Sequence, residues 1–257
     1  MPAPKAMTDE QKQKWKDIFA DHQRTVKTNS TMAALHKLAQ HWVENEVIIE
    51  RAATEEADSN GPQLKPDPDD EDSVGEYFAL RDLARDMHDN TMIPMHRYSC
   101  IVMLFTTAER ELIRLVENLE KGRWKKLSEE KATKKKNCLG KADLFVRGFC
   151  GVKLSDCPQY TALIDLQKIR DCIIHCHGEV SLSRDKEDLT KFWLGSKRRR
   201  GFAAPPNRDI YIDAECIKQF VKEVWGFFVW AFDKLGWPIA IHWQGNKLEK
   251  TFDKLKE

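Results

Sequence analysis

A continuous apolar stripe with α-helical spacing runs through residues 99–122 and constrains the fold of this chain more than any other feature. Its apolar residues recur every three or four positions, which places them on one face of a helix. The members of the stripe are Ile101, Leu104, Phe105, Ala108, Leu112, Leu115, Val116 and Leu119. Gly122 is a suitable residue to end this helix. The segment therefore predicts a long amphipathic helix with one buried face.

The same spacing recurs in other parts of the chain. Residues 8–58 contain no Gly or Pro, and they predict either one long helix or a hairpin with a turn at KTNST, 27–31. Further helices are expected from about Lys141 to RGFCG, from Pro158 to Gly178, and over the apolar segment 213–237. No run of alternating strand pattern and no internal repeat is visible, so the predicted fold class is all-α.

Two segments lack the helical pattern. Residues 183–209 resemble a long polar loop, and IYID, 210–213, suggests a short strand or an extended lead-in to the last helix. The predicted organisation has three parts: an N-terminal helical extension over 1–58, an acidic linker or loop with Pro and Gly over 59–75, and a helical domain over 76–257. For the acidic part a solvated loop is the simplest interpretation, and a functional acidic tail is the alternative.

Composition narrows the class of protein. The formal net charge is +1, so no global charge indicates nucleic acid, and any such argument has to be local. Seven cysteines at irregular spacing favour reduced thiols in a cytoplasmic protein. The N-terminus has no apolar signal region, and the longest strongly apolar run, 224–232, is too short to cross a bilayer. We expect no membrane association.

Ionisable side chains are concentrated in one predicted helix, LQKIRDCIIHCHGEV, 166–180. Asp171 and His175 are four positions apart and share a face, as do Arg170 and His177, which are seven apart. Arg170 and His175 differ by roughly 140° around the helix, so they cannot meet by stacking on one another. Since Gly178 ends the helix, the side chains near 175–177 can reach solvent.

Three interpretations of this helix remain open. In the first, Arg170 and Asp171 make structural contacts and a neutral His175 is a core residue. In the second, Cys172, His175, Cys176 and His177 bind a metal, although a second close ligand pair is missing and Cys150 and Cys157 are weak substitutes. In the third, histidine transfers protons near neutral pH and arginine holds a phosphate, which would suit RNA cleavage without metal or simple phosphate binding.

The sequence R-D-C-I-I-H, 170–175, resembles the R-x4–6-H signature of the HEPN superfamily, and the helix order over residues 76–235 is also similar. HEPN domains are small and all-α, and many are metal-independent endoribonucleases in toxin–antitoxin, phage-defence and RNA-processing systems. The resemblance implies a HEPN-like helical bundle. It also implies that Arg170 stabilises phosphate, that His175 transfers protons, and that Asp171 and His177 assist.

HEPN domains usually dimerise, so the resemblance implies two motifs facing each other across a cleft. A second chain would then complete a site whose parts are kept apart on one helix. Phe227 and Trp230 extend the apolar surface of the last helix and are candidates for the dimer interface. One HEPN branch has a modifiable tyrosine where this chain has His177. His177 is also the alternative motif histidine under the longer x6 spacing.

Two basic clusters are candidates for contacts with an RNA backbone, and solvated loops are the alternative. Their predicted RNA-binding residues are Lys134, Lys135, Lys136, Lys197, Arg198, Arg199 and Arg200. The second cluster, KRRR, also fits a nuclear import signal if the host is eukaryotic.

The sequence thus predicts a metal-independent endoribonuclease that acts in defence or RNA processing. It would use no cofactor and no metal, and its partners would be RNA, a second copy of the chain and an antitoxin or other regulatory protein. The alternative is a non-catalytic helical module for dimerisation or for binding RNA or protein.

Overall fold

A computed structural model describes residues 9–59, 75, 79, 91–130, 137–194, 202–203 and 208–237 of the chain. The α-helices with described bounds are α1 (Asp9–Ser59), α2 (Ile93–Leu119), α3 (Arg123–Glu129), α4 (Cys138–Cys150), α5 (Tyr160–Cys176), α6 (Lys186–Leu194) and α7 (Ala214–Lys234). Two short strands, β1 (Phe202–Ala203) and β2 (Tyr211–Ile212), pair in antiparallel fashion. The predicted all-α class is confirmed.

The N-terminal segment is one continuous helix, not a hairpin. KTNST does not form a turn, because Thr28 and Thr31 are buried on the inner face of α1. The Thr28 hydroxyl donates to the Arg24 carbonyl one turn earlier, which keeps a polar side chain compatible with the helix interior. The inner face continues with Met32, Leu35, Ala39, Trp42 and Val43, all of which belong to the hydrophobic core.

Two buried carboxylates fasten α1 to α2. The Thr31 hydroxyl of α1 donates to Glu111 Oε2 of α2 at 2.7 Å, and Arg97 of α2 donates through Nη2 to Glu46 Oε1 of α1 at 2.6 Å. Thr31 precedes Glu46 on α1, whereas its partner Glu111 follows Arg97 on α2. The two helices therefore run antiparallel. Residues 24–49 of α1 therefore pack on the same core as α2, α4, α5 and α7.

Helix α7 lies inside the bundle. No residue between Cys216 and Phe232 is fully exposed, and only one face of the helix, which includes Trp225, Val229 and Trp230, is partly buried rather than buried. Phe227 is fully buried, with its ring 5.3 Å from Phe228 and 6.4 Å from Tyr160. This corrects the prediction of Phe227 as a dimer contact, since the apolar side chain that suggested a partner is a core residue. Trp230 is only partly buried and stays a candidate.

Local sequence explains several helix ends. Asn137 accepts from the Gly140 amide and Asp213 from the Cys216 amide, so each caps the start of its helix, α4 and α7. Gly122 does not end α2. It adopts a positive φ of 77° at the start of α3 instead. The predicted loop at 183–209 is wrong in part, because α6 occupies Lys186–Leu194 and buries Leu189.

All seven cysteines are free, and six of them are buried. Across the residues that the structure describes, none of the helices is apolar over a stretch long enough to cross a membrane.

Candidate functional site

The motif helix α5 ends in a tight left-handed turn. His177 has φ 53° and Gly178 has φ 91°, and the Gly178 amide donates back to the Cys172 carbonyl. The chain then pairs with a distant segment, since the Ile210 amide donates to the Gly178 carbonyl at 2.9 Å. The turn lies beside the segment that leads into α7, and His175 and His177 are exposed next to it.

Arg170 is held on two sides. Its Nη1 donates to Asp171 Oδ1 at 2.7 Å, and its guanidinium carbon lies 5.4 Å from the centre of the Phe105 ring on α2. Asp171 also has the exposed Arg184 at 3.9 Å. Arg170 retains 25 % of its side-chain exposure, and its Nε is buried without a hydrogen-bond partner among the described residues. The hydrogen bond to Asp171 and the Phe105 ring therefore hold the Arg170 guanidinium in place.

Both histidines of the motif are exposed. His175 lies on the last turn of α5, one turn beyond Asp171, and His177 follows in the left-handed turn. Neither imidazole makes a hydrogen bond or an ion pair with any other residue that the structure describes. His175 is therefore not the buried core histidine of the structural interpretation, and its two ring nitrogens are accessible to a ligand.

The single chain does not join Arg170 to His175. Within the described residues no hydrogen bond or ion pair links the two, and Arg170 leans toward α2, whereas His175 is open to solvent. The separation deduced from the helical wheel thus persists in the fold. A site that uses both groups needs either a substrate that spans them or a second chain.

The metal interpretation finds no support in the geometry. Cys172 and Cys176 are buried, while His175 and His177 are exposed, so the four side chains do not converge. No group of three or more His, Cys, Asp or Glu side chains in the described ranges is placed to hold a metal ion. Burial raises the pKa of the Cys172 thiol to about 11, which disfavours the thiolate that a metal would require.

A cavity of about 680 Å³ lies beside the end of α5. Its walls are the first turns of α2, the residues Ile173 and His177 of the motif region, and the segment 209–212. Arg97, Tyr98, Asp209 and Tyr211 are among its lining residues, but Arg170 and His175 are not. Of the four predicted catalytic residues, the cavity therefore contains only His177.

One buried polar cluster was not predicted from the sequence. Glu46 is buried between Arg97 and His96, with His96 Nε2 at 3.5 Å from Glu46 Oε2, and Cys100 Sγ lies 3.7 Å from the same ring nitrogen. Both contacts use Nε2, so this is not a thiol–imidazole–carboxylate relay, which needs both ring nitrogens. Burial raises the pKa of Cys100 to about 12, so its thiol is inert. No sequence motif indicates the cluster, because Glu46 lies on α1, 51 positions before Arg97.

The predicted RNA-binding residues Lys134, Lys135, Lys136, Lys197, Arg198, Arg199 and Arg200 lie outside the described residues.

No protein-family model, no curated protein and no solved structure matches the chain. The similarity to HEPN domains therefore depends on the R-x4-H motif and the helix order alone.

Proposed function

We propose that the chain is a metal-independent endoribonuclease of HEPN type, with Arg170, Asp171 and His175 at its reaction centre and His177 beside it. The observation that carries the proposal is the state of His175. Its imidazole is exposed and has no partner among the described residues, and it lies one turn beyond Asp171, which orients Arg170. An imidazole without a partner suits proton transfer at a phosphate, and an oriented guanidinium suits binding of that phosphate once a substrate or a second chain brings the two groups together.

The proposed reaction is an internal transfer at phosphorus. A histidine takes the proton of a ribose 2′-hydroxyl, the oxygen attacks the adjacent phosphorus, and the bond to the 5′-oxygen breaks. The protonated histidine then gives its proton to the leaving 5′-oxygen, and the products are a 2′,3′-cyclic phosphate and a 5′-hydroxyl. Arg170 offsets the negative charge that grows on the phosphorus oxygens, through Nη2, since Nη1 is engaged by Asp171.

We further propose that the active form is a homodimer in which Arg170 of one chain works with His175 of the other. This arrangement would bring together Arg170 and His175, which are apart within one chain. The free cysteines fit a cytoplasmic protein, where RNA is the available substrate, and a toxin-like nuclease there would be restrained by an antitoxin or other regulatory protein.

The test is cleavage of labelled single-stranded RNA by purified protein in the presence of a chelator. His175→Ala should lower the rate by about 100-fold or more. His41→Ala is the matched control, because His41 is also an exposed helical histidine but lies on α1. His177→Asn separates the two motif histidines without backbone strain, since asparagine tolerates the left-handed conformation. RNA with 2′-O-methyl groups should resist cleavage altogether.

The proposal that two chains together form each active site has a separate test. Neither Arg170→Ala nor His175→Ala should be active alone, but a mixture should regain activity, because one hybrid site then holds both intact residues. Cleavage that survives in His175→Ala and in His177→Asn alike would refute the assignment of the motif histidines as catalytic residues.

The contact of Arg170 with Phe105 also favours the alternative, a non-catalytic dimerisation or RNA- or protein-binding module in which Arg170 is structural. In that case no RNA is cleaved, and Arg170→Ala lowers the melting temperature while His175→Ala leaves it unchanged.

A further inference from the structure

The cavity beside α5 contains groups that the proposed reaction does not use. It joins the motif through His177, and its remaining polar lining comes mainly from Arg97, Tyr98 and Asp209. Its volume of about 680 Å³ lies in the range of sites that enclose small organic molecules.

The charges of the cavity argue against a phosphate. Arg97 gives Nε and Nη2 to the buried Glu46, so its positive charge is already compensated. Asp209 is exposed and makes no ion pair or side-chain hydrogen bond with the other described residues, which leaves its negative charge in the cavity. The carboxylate would repel a phosphate, so the cavity suits a neutral ligand that donates hydrogen bonds.

The apolar part of the lining suits a flat ring. Tyr211 is 56 % exposed and Met95 is 64 % exposed, an unusual state for such large side chains. Tyr98 contributes a further aromatic side chain to the lining. Nucleobases stack on aromatic side chains whatever their sequence, and a thioether also packs well on a ring.

The walls are fixed before any ligand arrives. The Tyr98 hydroxyl donates to the Ile210 carbonyl at 2.5 Å, and Arg97 Nη1 contacts the Ile212 carbonyl at 3.5 Å. The Ile210 amide is in turn bonded to Gly178. Because α2, the end of α5 and the segment 209–212 are tied together, a ligand has little ordering cost to overcome.

We propose that this cavity is the base-binding pocket of the nuclease and that it prefers guanine. The inference rests on the proposed function, since it assigns the base of the RNA whose phosphate reacts at the motif. Guanine offers a ring N–H and an amino group side by side, and a carboxylate accepts both. Uracil offers one N–H between two carbonyl oxygens, which the carboxylate of Asp209 repels. The base stacks on Tyr211 while its phosphate extends past His177 toward His175.

Binding of RNA that cannot be cleaved tests the pocket apart from the reaction. The probes are fluorescent hexamers with 2′-O-methyl groups throughout, one of uridines only and others with a single guanosine, adenosine or cytidine. Wild-type protein should bind the guanosine probe about 10-fold more tightly than the uridine probe. Asp209→Asn should remove this preference, and Asp233→Asn, an exposed carboxylate outside the cavity, should keep it.

The stacking surface has a matched pair of variants. Tyr211→Ala should weaken binding of the guanosine probe by about 10-fold, whereas Tyr211→Phe keeps the ring and the affinity. Equal affinity for guanosine and uridine probes, or an Asp209→Asn variant that keeps the preference, would overturn the pocket.

The nuclease and the base-binding pocket can be refuted independently of each other. Guanosine preference without any RNA cleavage leaves the pocket and removes the nuclease. Cleavage that is equally fast beside guanosine and uridine leaves the nuclease and removes the pocket.

Discussion

Tyr98 and Gly178 touch so closely that a β-carbon added at Gly178 would lie 2.6 Å from the Tyr98 hydroxyl oxygen. That hydroxyl cannot easily move, because it donates to the Ile210 carbonyl. Tyr98 thus contacts the turn after the motif helix and also holds the segment 209–212 through its hydrogen bond. The end of α5 and the wall of the cavity therefore both pack against Tyr98.

We therefore predict that Gly178→Ala destabilises the protein by more than the roughly 1–3 kcal/mol of a strained backbone alone. Gly151→Ala is the matched control, since Gly151 also has a positive φ, 73°, but no atom lies within 4 Å of an added β-carbon. The measurement is urea unfolding of both variants. Equal losses of stability in the two would mean that the Tyr98 contact is unimportant.

The Thr31–Glu111 hydrogen bond predicts that α1 is part of the cooperative fold. Glu111 is 1 % exposed, so Thr31→Val leaves a buried carboxylate oxygen without its donor, at a cost of about 1–3 kcal/mol. Thr31→Ser keeps the hydroxyl and should lose much less. Circular dichroism and tryptophan fluorescence should report one coincident unfolding transition. Separate transitions would show that α1 unfolds independently.

We predict that the free energy of unfolding falls in mild acid because of His96. Burial lowers the pKa of His96, and the nearby Arg97 and His41 lower it further, while Glu46 acts in the opposite direction. Since the folded pKa is below the unfolded value of about 6.5, the unfolded chain binds the proton more readily. The stabilisation is therefore present above about pH 6.5 and is lost as the pH falls through the folded pKa. His96→Gln should flatten the dependence of the melting temperature between pH 7.5 and 5, and an unchanged slope would contradict this.

Cys150 is predicted to be the first thiol to react. It is exposed, whereas the other six cysteines are buried, and burial raises the pKa of Cys138, like that of Cys100, to about 12. A disulfide reagent at pH 8 should modify one thiol quickly and the rest only after urea is added. Cys150→Ser should remove the fast phase. A fast phase of two or more thiols would mean that the core opens more easily than its packing indicates.

The helices were largely readable from the sequence, because apolar spacing reports directly which face of a helix is buried. The stripe from Ile101 to Val116 is buried in α2 as predicted, and Leu163, Leu166 and Ile169 are buried in α5. Helix α6 was missed because it has only nine residues and lies within a long polar segment, so the helical spacing of Leu189, Phe192 and Trp193 covers barely more than one turn. The prediction for Phe227 was wrong because excess apolar surface indicates burial but not whether the covering partner is the same chain.

Some features of the candidate site were likewise predictable from the sequence, and others were not. The sequence by itself determined the motif, its position at the end of α5 and the exposure that Gly178 allows, since these depend on local spacing and backbone conformation. Only the tertiary structure decided that Arg170 stacks on Phe105, that Glu46 compensates Arg97, and that Asp209 faces a cavity beside His177. Such contacts join residues far apart in the chain, and periodicity specifies which face is buried without specifying what buries it.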